Sequence, residues 1–516
     1  MTMKPLVISG RDLKIDDVMA VAQGQEVVLD TAVLPHINRS RRAVEKLVRE
    51  GQIAYGITTG FGRFKDKFIS ADESLQLQLN LVRSHAAGTG PILPEPQVRA
   101  MLLARANTLA QGYSGVRPLV IQRLLDMLNL GVHPRVPAQG SLGASGDLAP
   151  LAHLTLPLIG EGEAFYNGTL MLGGEAMSAA GLEPITLQAK EGLALLNGTA
   201  FMVGLGALVV RRAINLALTA DIAAALTLEA LRGTDRAYDD RVHQLRPHPR
   251  QIDCANFLRQ ILAGSQMLRA KTSKNVQDPY TLRCVPQVHG AVRDSVAYAR
   301  WVLEIELNSV NDNPLIFVDE EDEEKIEVIS AGNFHGEPIA LAMDYLKLAL
   351  TEIGNMSERR MAQLVDANSN GGVLPMFLTE HGGLESGFMI AQYSAAALAS
   401  ENKVLAHPAS ADTIPSSANI EDHVSMGATA VRQAELIMTH VETIVAIELL
   451  SAAQGIDFRR SYGEGKQGIG TQAAYDLIRE QVPFIAEDCY MAPLIEKVRQ
   501  LVHDGEIKQV VEAAVA

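Results

Sequence analysis

The run Gly140-Ser141-Leu142-Gly143-Ala144-Ser145-Gly146-Asp147 can do chemistry on its own backbone. Gly143 and Gly146 carry no Cβ, so the chain can fold back until the Gly146 nitrogen approaches the Ala144 carbonyl carbon. Ring closure with loss of two waters, one of them from the Ser145 hydroxyl, leaves an imidazolone bearing an exocyclic methylidene. Ala144, Ser145 and Gly146 would thereby become a neutral Michael acceptor, with Ser145 a precursor and not a nucleophile. An electrophile that captures an amine divides a hard elimination into easier steps. Taken alone, the run also fits a Gly-rich turn opening a helix, with Asp147 near the helix N-terminus.

Other chemistries fit less well. Gly143-Ala144-Ser145-Gly146-Asp147 is not the Gly-x-Ser-x-Gly elbow of a serine hydrolase. No Gly-Lys-Ser/Thr follows the glycines, and there is no His-Glu-x-x-His zinc motif. His423 has only Asn419 and Gly427 one helical turn away, so it lacks a local second ligand, and no metal is expected. No lysine stands in a recognisable PLP setting.

The electrophile run does not stand alone. Tyr55-Gly-Ile-Thr-Thr-Gly-Phe-Gly62, Asn80-Leu-Val-Arg-Ser-His85-Ala-Ala-Gly88, Lys190-Glu-Gly-Leu-Ala-Leu-Leu-Asn-Gly198, Gln277-Asp-Pro-Tyr280-Thr-Leu-Arg283, Asn308-Ser-Val-Asn-Asp-Asn-Pro314, Gly332-Asn-Phe-His-Gly-Glu337 and Glu421-Asp-His-Val-Ser-Met426 accompany it. In that order the blocks resemble the histidine branch of the aromatic amino acid ammonia-lyases, which use a methylidene-imidazolone. The resemblance implies that the ring forms autocatalytically. Two departures are visible: Ile420 stands where Gln is common before the Glu, and Thr58 where Asn is common.

The resemblance also implies roles. Tyr55, in a Gly-rich loop, is expected to take the β-proton; a phenol with a pKa near about 10 is a poor base at neutral pH unless donors or positive charge stabilise its anion. Asn197 is expected to hydrogen-bond the substrate or polarise the ring carbonyl. Arg283 can clamp a carboxylate bidentately. Gln277 and Tyr280 share its segment, Tyr280 as a proton relay, and Phe334 packs beside the ring. His85 and Glu421 set the substrate. An imidazole offers one donor and one acceptor, which a carboxylate and a histidine can satisfy, whereas a phenyl ring would leave both unpaired. The implied reaction is L-histidine to trans-urocanate and ammonia. A tyrosine ammonia-lyase or an aromatic aminomutase with the same electrophile is the alternative.

The elements that must position these residues read as mainly α. Nearly half of the 516 residues are hydrophobic and 20% are charged, with one Trp, which suits Ala- and Leu-rich helix packing. Residues 1–198, punctuated by Gly and Pro, form a smaller electrophile-bearing region with helices over Val98–Ala110 and Pro118–Asn129. Residues 199–516 form a long-helix bundle, with runs at helical spacing over Ala200–Leu231, Ala291–Leu307, Glu337–Val365, Gly383–Ala406 and Val424–Gly455. Helices so apolar need partners on several sides, and the resemblance implies a homotetramer with active sites shared between chains. The acidic stretch 319–325 reads as a solvated loop.

A net charge of −15 argues against nucleic-acid or anionic-membrane partners. Arg211, Arg212 and Asn215 interrupt the apolar stretch Phe201–Ala220, so no membrane span is expected. Cys254, Cys284 and Cys489 lack disulfide or zinc spacing, and the N-terminus lacks the apolar core of a signal; a cytoplasmic setting is expected.

Overall fold

The computed structural model describes residues 4–64, 66–270 and 276–516. The described residues form nineteen α-helices and only short strands. Every long run read from periodicity contains a helix, although residues 383–388 and 424–426 at the starts of two runs are not helical: Ala200–Ala230, Val285–Leu307, Glu337–Val365, Met389–Leu405 and Gly427–Ser461. So are Glu95–Ala110 and Pro118–Leu130, where proline sits in the first turn and costs no hydrogen bond.

Contacts divide the chain into two compact units. Residues 1–211, 299–344 and 408–432 make the first; residues 212–298, 345–407 and 433–516 make the second. Among the described residues the first unit holds all the strands: a parallel pair Leu6–Ile8 with Val27–Leu29, antiparallel pairs Thr89–Ile92 with Pro137–Gln139 and Leu315–Val318 with Ile326–Ile329, and a three-stranded sheet ending in the hairpin Glu163–Tyr166/Thr169–Leu172.

Helix Glu95–Ala110 is buried on all sides from Gln97 onward, so its polar side chains must find partners inside. Arg99 donates to the Val21 carbonyl at 2.7 Å and the Leu128 carbonyl at 2.8 Å, and Asn107 Nδ2 donates to the Leu307 carbonyl at 2.9 Å. Arg105 donates to the Ala194 carbonyl and to Asn311 Oδ1, and burial lowers its pKa to about 10. Lys190 and Asp312, both fully buried, pair at 2.7 Å. This ion pair fixes the start of helix Glu191–Leu196, whose end carries Asn197.

The acidic stretch is exposed but not merely solvated. It closes the hairpin Leu315–Val318/Ile326–Ile329, with Glu323 on Arg42 at 2.8 Å and Glu324 on Lys46.

In the second unit, Glu448 receives Arg360 through both carboxylate oxygens at 2.5 and 2.8 Å, with Ser357 and Thr227 hydroxyls completing its hydrogen bonds. Asp221 is buried with His289 Nδ1 at 2.6 Å, Cys254 Sγ at 3.3 Å and the Arg293 guanidinium. Two helices, Ala200–Ala230 and Gly427–Ser461, are long and apolar enough to cross a membrane, and 72% and 78% of their apolar windows are buried within the protein.

Candidate active site

The electrophile run sits in a turn that only glycine can make at two points. Gly143 and Gly146 have φ of 68° and 72°; a Cβ on Gly146 would collide with the Gly198 backbone, and one on Gly143 with the Ser425 hydroxyl. Gly146 pairs with Gly198 as an isolated bridge, and the Asp147 amide donates to the Gly198 carbonyl at 2.7 Å. The tripeptide is thus pressed against the loop that carries Asn197.

Asp147 opens helix Leu148–Thr155, but its carboxyl does not cap that helix. It accepts instead from the Met202 amide at 3.0 Å, in the first turn of Ala200–Ala230, and from Ser141 Oγ at 3.1 Å. Burial, only partly offset by these hydrogen bonds, pushes the Asp147 pKa up to about 7.

Three site side chains each stand three residues ahead of a helix. Ser145 precedes Leu148–Thr155, Asn197 precedes Ala200–Ala230 and Phe334 precedes Glu337–Val365.

One cavity of about 1200 Å³, formed within the first unit, brings together Tyr55, His85, Ala144, Ser145, Asn197, Phe334 and Glu421. Asn197 Nδ2 donates to the Ser145 carbonyl at 2.9 Å, while its Oδ1 is buried without a partner. The Ser145 hydroxyl donates to Glu421 Oε1 at 2.9 Å. Tyr55 Oη accepts the Gly62 amide at 3.3 Å, a donor on the oxygen that carries charge when the phenol gives up its proton. Thr58, at a departure from the family pattern, is buried; it accepts from the Ala54 amide at 2.9 Å and donates to the Gln52 carbonyl at 2.6 Å, pinning the start of this loop. His85 ends helix Ala71–His85 half-buried, and burial lowers its pKa, outweighing the opposing pull of the Leu81 carbonyl and Glu421. Burial thus favours its neutral form, in which one nitrogen is a donor and the other an acceptor.

Glu421 does not begin a helix. It pairs with Ser416 across a turn in which Ser417, Ala418 and Asn419 all have positive φ, of 51°, 52° and 64°. Its second oxygen accepts the Ser416 hydroxyl at 3.0 Å. The neighbouring Ile420 also lines the cavity, partly exposed. Residues Val424–Met426, expected to be helical, are instead a docking segment: Ser425 Oγ donates to the Gly143 carbonyl at 2.9 Å and the Met426 amide to the Leu142 carbonyl at 2.8 Å.

Gln277, Tyr280 and Arg283 belong to the second unit and do not line this cavity. They form a cluster of their own. Arg283 donates to Gln277 Oε1 at 2.8 Å and lies 4.5 Å from the centroid of the exposed Tyr280 ring. The segment is anchored from beneath by Tyr238 Oη, which donates to the Leu282 carbonyl at 2.7 Å, and by Arg360, which donates to the Thr281 carbonyl at 3.3 Å.

Sequence reasoning missed His335 and His423, which line the cavity, and Ser416, which bonds Glu421. Ser416 carried only the signal of a turn-forming Pro-Ser-Ser-Ala-Asn run. His335 and His423 stack with ring centroids 5.5 Å apart, and His423 Nδ1 lies 3.5 Å from His335 Nε2. A pairing between residues 88 positions apart leaves no local pattern to read.

The residues present suit a methylidene-imidazolone. Glycine-only contacts cradle the tripeptide, an amide donor meets the oxygen that becomes the ring carbonyl, and a carboxylate meets the hydroxyl that must leave. Known proteins share this chain's full length. It is 56% identical to a histidine ammonia-lyase of Chloroflexus aurantiacus over 513 residues, 98% of each chain. Among solved structures it is similar to histidine ammonia-lyase from Trypanosoma cruzi, with a TM-score of 0.91 at 40% identity over 99% of this chain and 96% of that one. Tyrosine aminomutase from Streptomyces globisporus gives a TM-score of 0.93 at 38% identity over 99% of each. A family model described as aromatic amino acid lyase matches residues 13–480, and the chain belongs to that family.

Proposed function

We propose that this chain is a histidine ammonia-lyase, deaminating L-histidine without oxidation to trans-urocanate and ammonia. The observation that carries the substrate is the meeting of Glu421 and His85 in one cavity with Ser145. An imidazole edge pairs a donor with the carboxylate and an acceptor with the neutral histidine; a phenyl ring would leave buried polar groups unsatisfied, and a phenol would leave Glu421 poorly matched. The 56% likeness to a protein named histidine ammonia-lyase, against 38% for a tyrosine aminomutase, supports the same choice.

The methylidene-imidazolone, formed autocatalytically from Ala144, Ser145 and Gly146, supplies the electrophilic carbon that makes an amine a leaving group. The side chains do the rest. Asn197 donates to the carbonyl oxygen of Ser145, where charge gathers when the ring is attacked. Tyr55 Oη takes the β-proton, and the Gly62 amide donates to that same oxygen, where it steadies the basic form that accepts the proton. Phe334 packs beside the substrate ring. Gln277, Tyr280 and Arg283 complete the site of a neighbouring chain in a homotetramer, where Arg283 clamps the carboxylate and Tyr280 relays a proton. A reducing, cytoplasmic setting fits three unpaired cysteines, and the acidic surface suits neither nucleic acid nor anionic membrane.

The test is ultraviolet absorbance after adding L-histidine, L-tyrosine or L-phenylalanine to purified protein. Urocanate from histidine alone is expected. Coumarate or cinnamate would overturn the substrate, and a β-amino acid, found by chromatography of the same reactions, would make the chain a mutase.

A further inference from the structure

The Ser145 hydroxyl has to leave as water for the electrophile to exist, and it hydrogen-bonds Glu421 at 2.9 Å across 276 residues of chain. A substrate-recognising carboxylate has no need of that contact. Both Glu421 oxygens accept hydroxyls, Ser145 on Oε1 and Ser416 on Oε2, which is the bonding inventory of a carboxylate. The Ser416 contact leaves Oε1 as the oxygen facing Ser145.

We propose that Glu421 is a catalytic residue of maturation: it shuttles the proton that removes the second water, from Ser145 Cα to Ser145 Oγ. This rests on the reading that Ala144, Ser145 and Gly146 become the ring. In ring closure the Gly146 nitrogen bonds to the Ala144 carbonyl carbon, and the Ala144 oxygen leaves with the amide hydrogens of Ser145 and Gly146 as the first water. The Ser145 Cα–H bond, now beside an imidazolone, is acidified. Glu421 accepts that proton, the Cα–H electron pair becomes the exocyclic double bond, and the Cβ–Oγ bond breaks with its pair on oxygen. The carboxylic acid then returns the proton to the departing oxygen, which leaves as water. Glu421 ends as the carboxylate it began as, and no oxidant or second base is consumed.

Loss of the hydroxyl also removes the partner of Oε1. The oxygen that held the precursor is thereby vacated for the substrate's imidazole N–H, so the residue serves maturation and recognition in succession.

The experiment is an intact-mass time course after cell-free synthesis, with no amino acid substrate present during the readout beyond those needed for translation. Wild type, Glu421→Gln and Glu421→Asp are compared, with far-UV circular dichroism as the check on folding. Glu421→Gln is expected to close the ring yet lose the second water on the order of 100-fold more slowly, the usual worth of a positioned proton-transfer group, so that protein lighter by one water accumulates. Glu421→Asp, which keeps the carboxylate on a shorter arm, is expected to fall between the two. If Glu421→Gln fails to fold, Glu421→Asp carries the comparison, and a wild-type rate in whichever variant folds overturns the proposal. A wild type that loses no water at all fails the ring reading instead, which is a distinguishable result.

Discussion

At Asp147 burial and hydrogen bonding oppose each other, and burial wins. Its pKa stands near 7 in the folded protein, against about 3.9 for an exposed aspartate. A group whose folded pKa is raised contributes stability that is fully present below its unfolded pKa and is lost as pH rises through the folded one. The stability of wild type relative to Asp147→Asn should therefore fall between about pH 4 and 7 by a few kcal/mol, and then level off; denaturant midpoints at intervals across that range check it. A flat difference would mean that the carboxyl is ionised throughout. The residue types at this scale were legible in sequence: Tyr55, His85, Ser145, Asn197, Phe334 and Glu421, scattered over more than 360 positions, share one cavity. The Ser416 and His335–His423 contacts were not legible, because they depend on a left-handed turn and on a long-range stack that no local spacing encodes.

At the level of elements, helical periodicity located the long helices, and errors fell at their ends. The helix read from Val424 begins at Gly427, because the three residues between serve the Leu142–Gly143 backbone instead. Apolar spacing cannot report such a competing use. Buried charge within helices was equally invisible to pattern, and it has a measurable consequence. Glu448→Ala leaves Arg360 buried without its bidentate partner, which should destabilise the protein by about 3–5 kcal/mol, read by denaturant unfolding. Since Arg360 also donates to the Thr281 carbonyl, amide hydrogen exchange should rise in Tyr280–Arg283 more than in the Ser145 turn.

For the whole molecule, the fact that Gln277, Tyr280 and Arg283 fall in one compact unit and the cavity-lining residues in the other has a direct test. Tyr55→Phe and Arg283→Ala should each be nearly inactive as pure assemblies. If a neighbouring chain supplies Arg283, co-expressed mixtures of the two should regain activity, since some sites then receive both native residues. No recovery in mixtures shown by mass to contain both chains would place all the residues of a site in one chain. The fivefold interleaving of the compact units could not be read from composition, which changes only once along the chain. It bears on how the protein is born. Ser145 leaves the ribosome 276 residues before Glu421, a lag of roughly 14–55 s at ordinary translation speeds of about 5–20 residues per second. Throughout that interval the nascent tripeptide is without its carboxylate, so, on the proposed maturation, the order of synthesis itself holds back the second loss of water, and with it the reactive methylidene, until the chain is nearly finished.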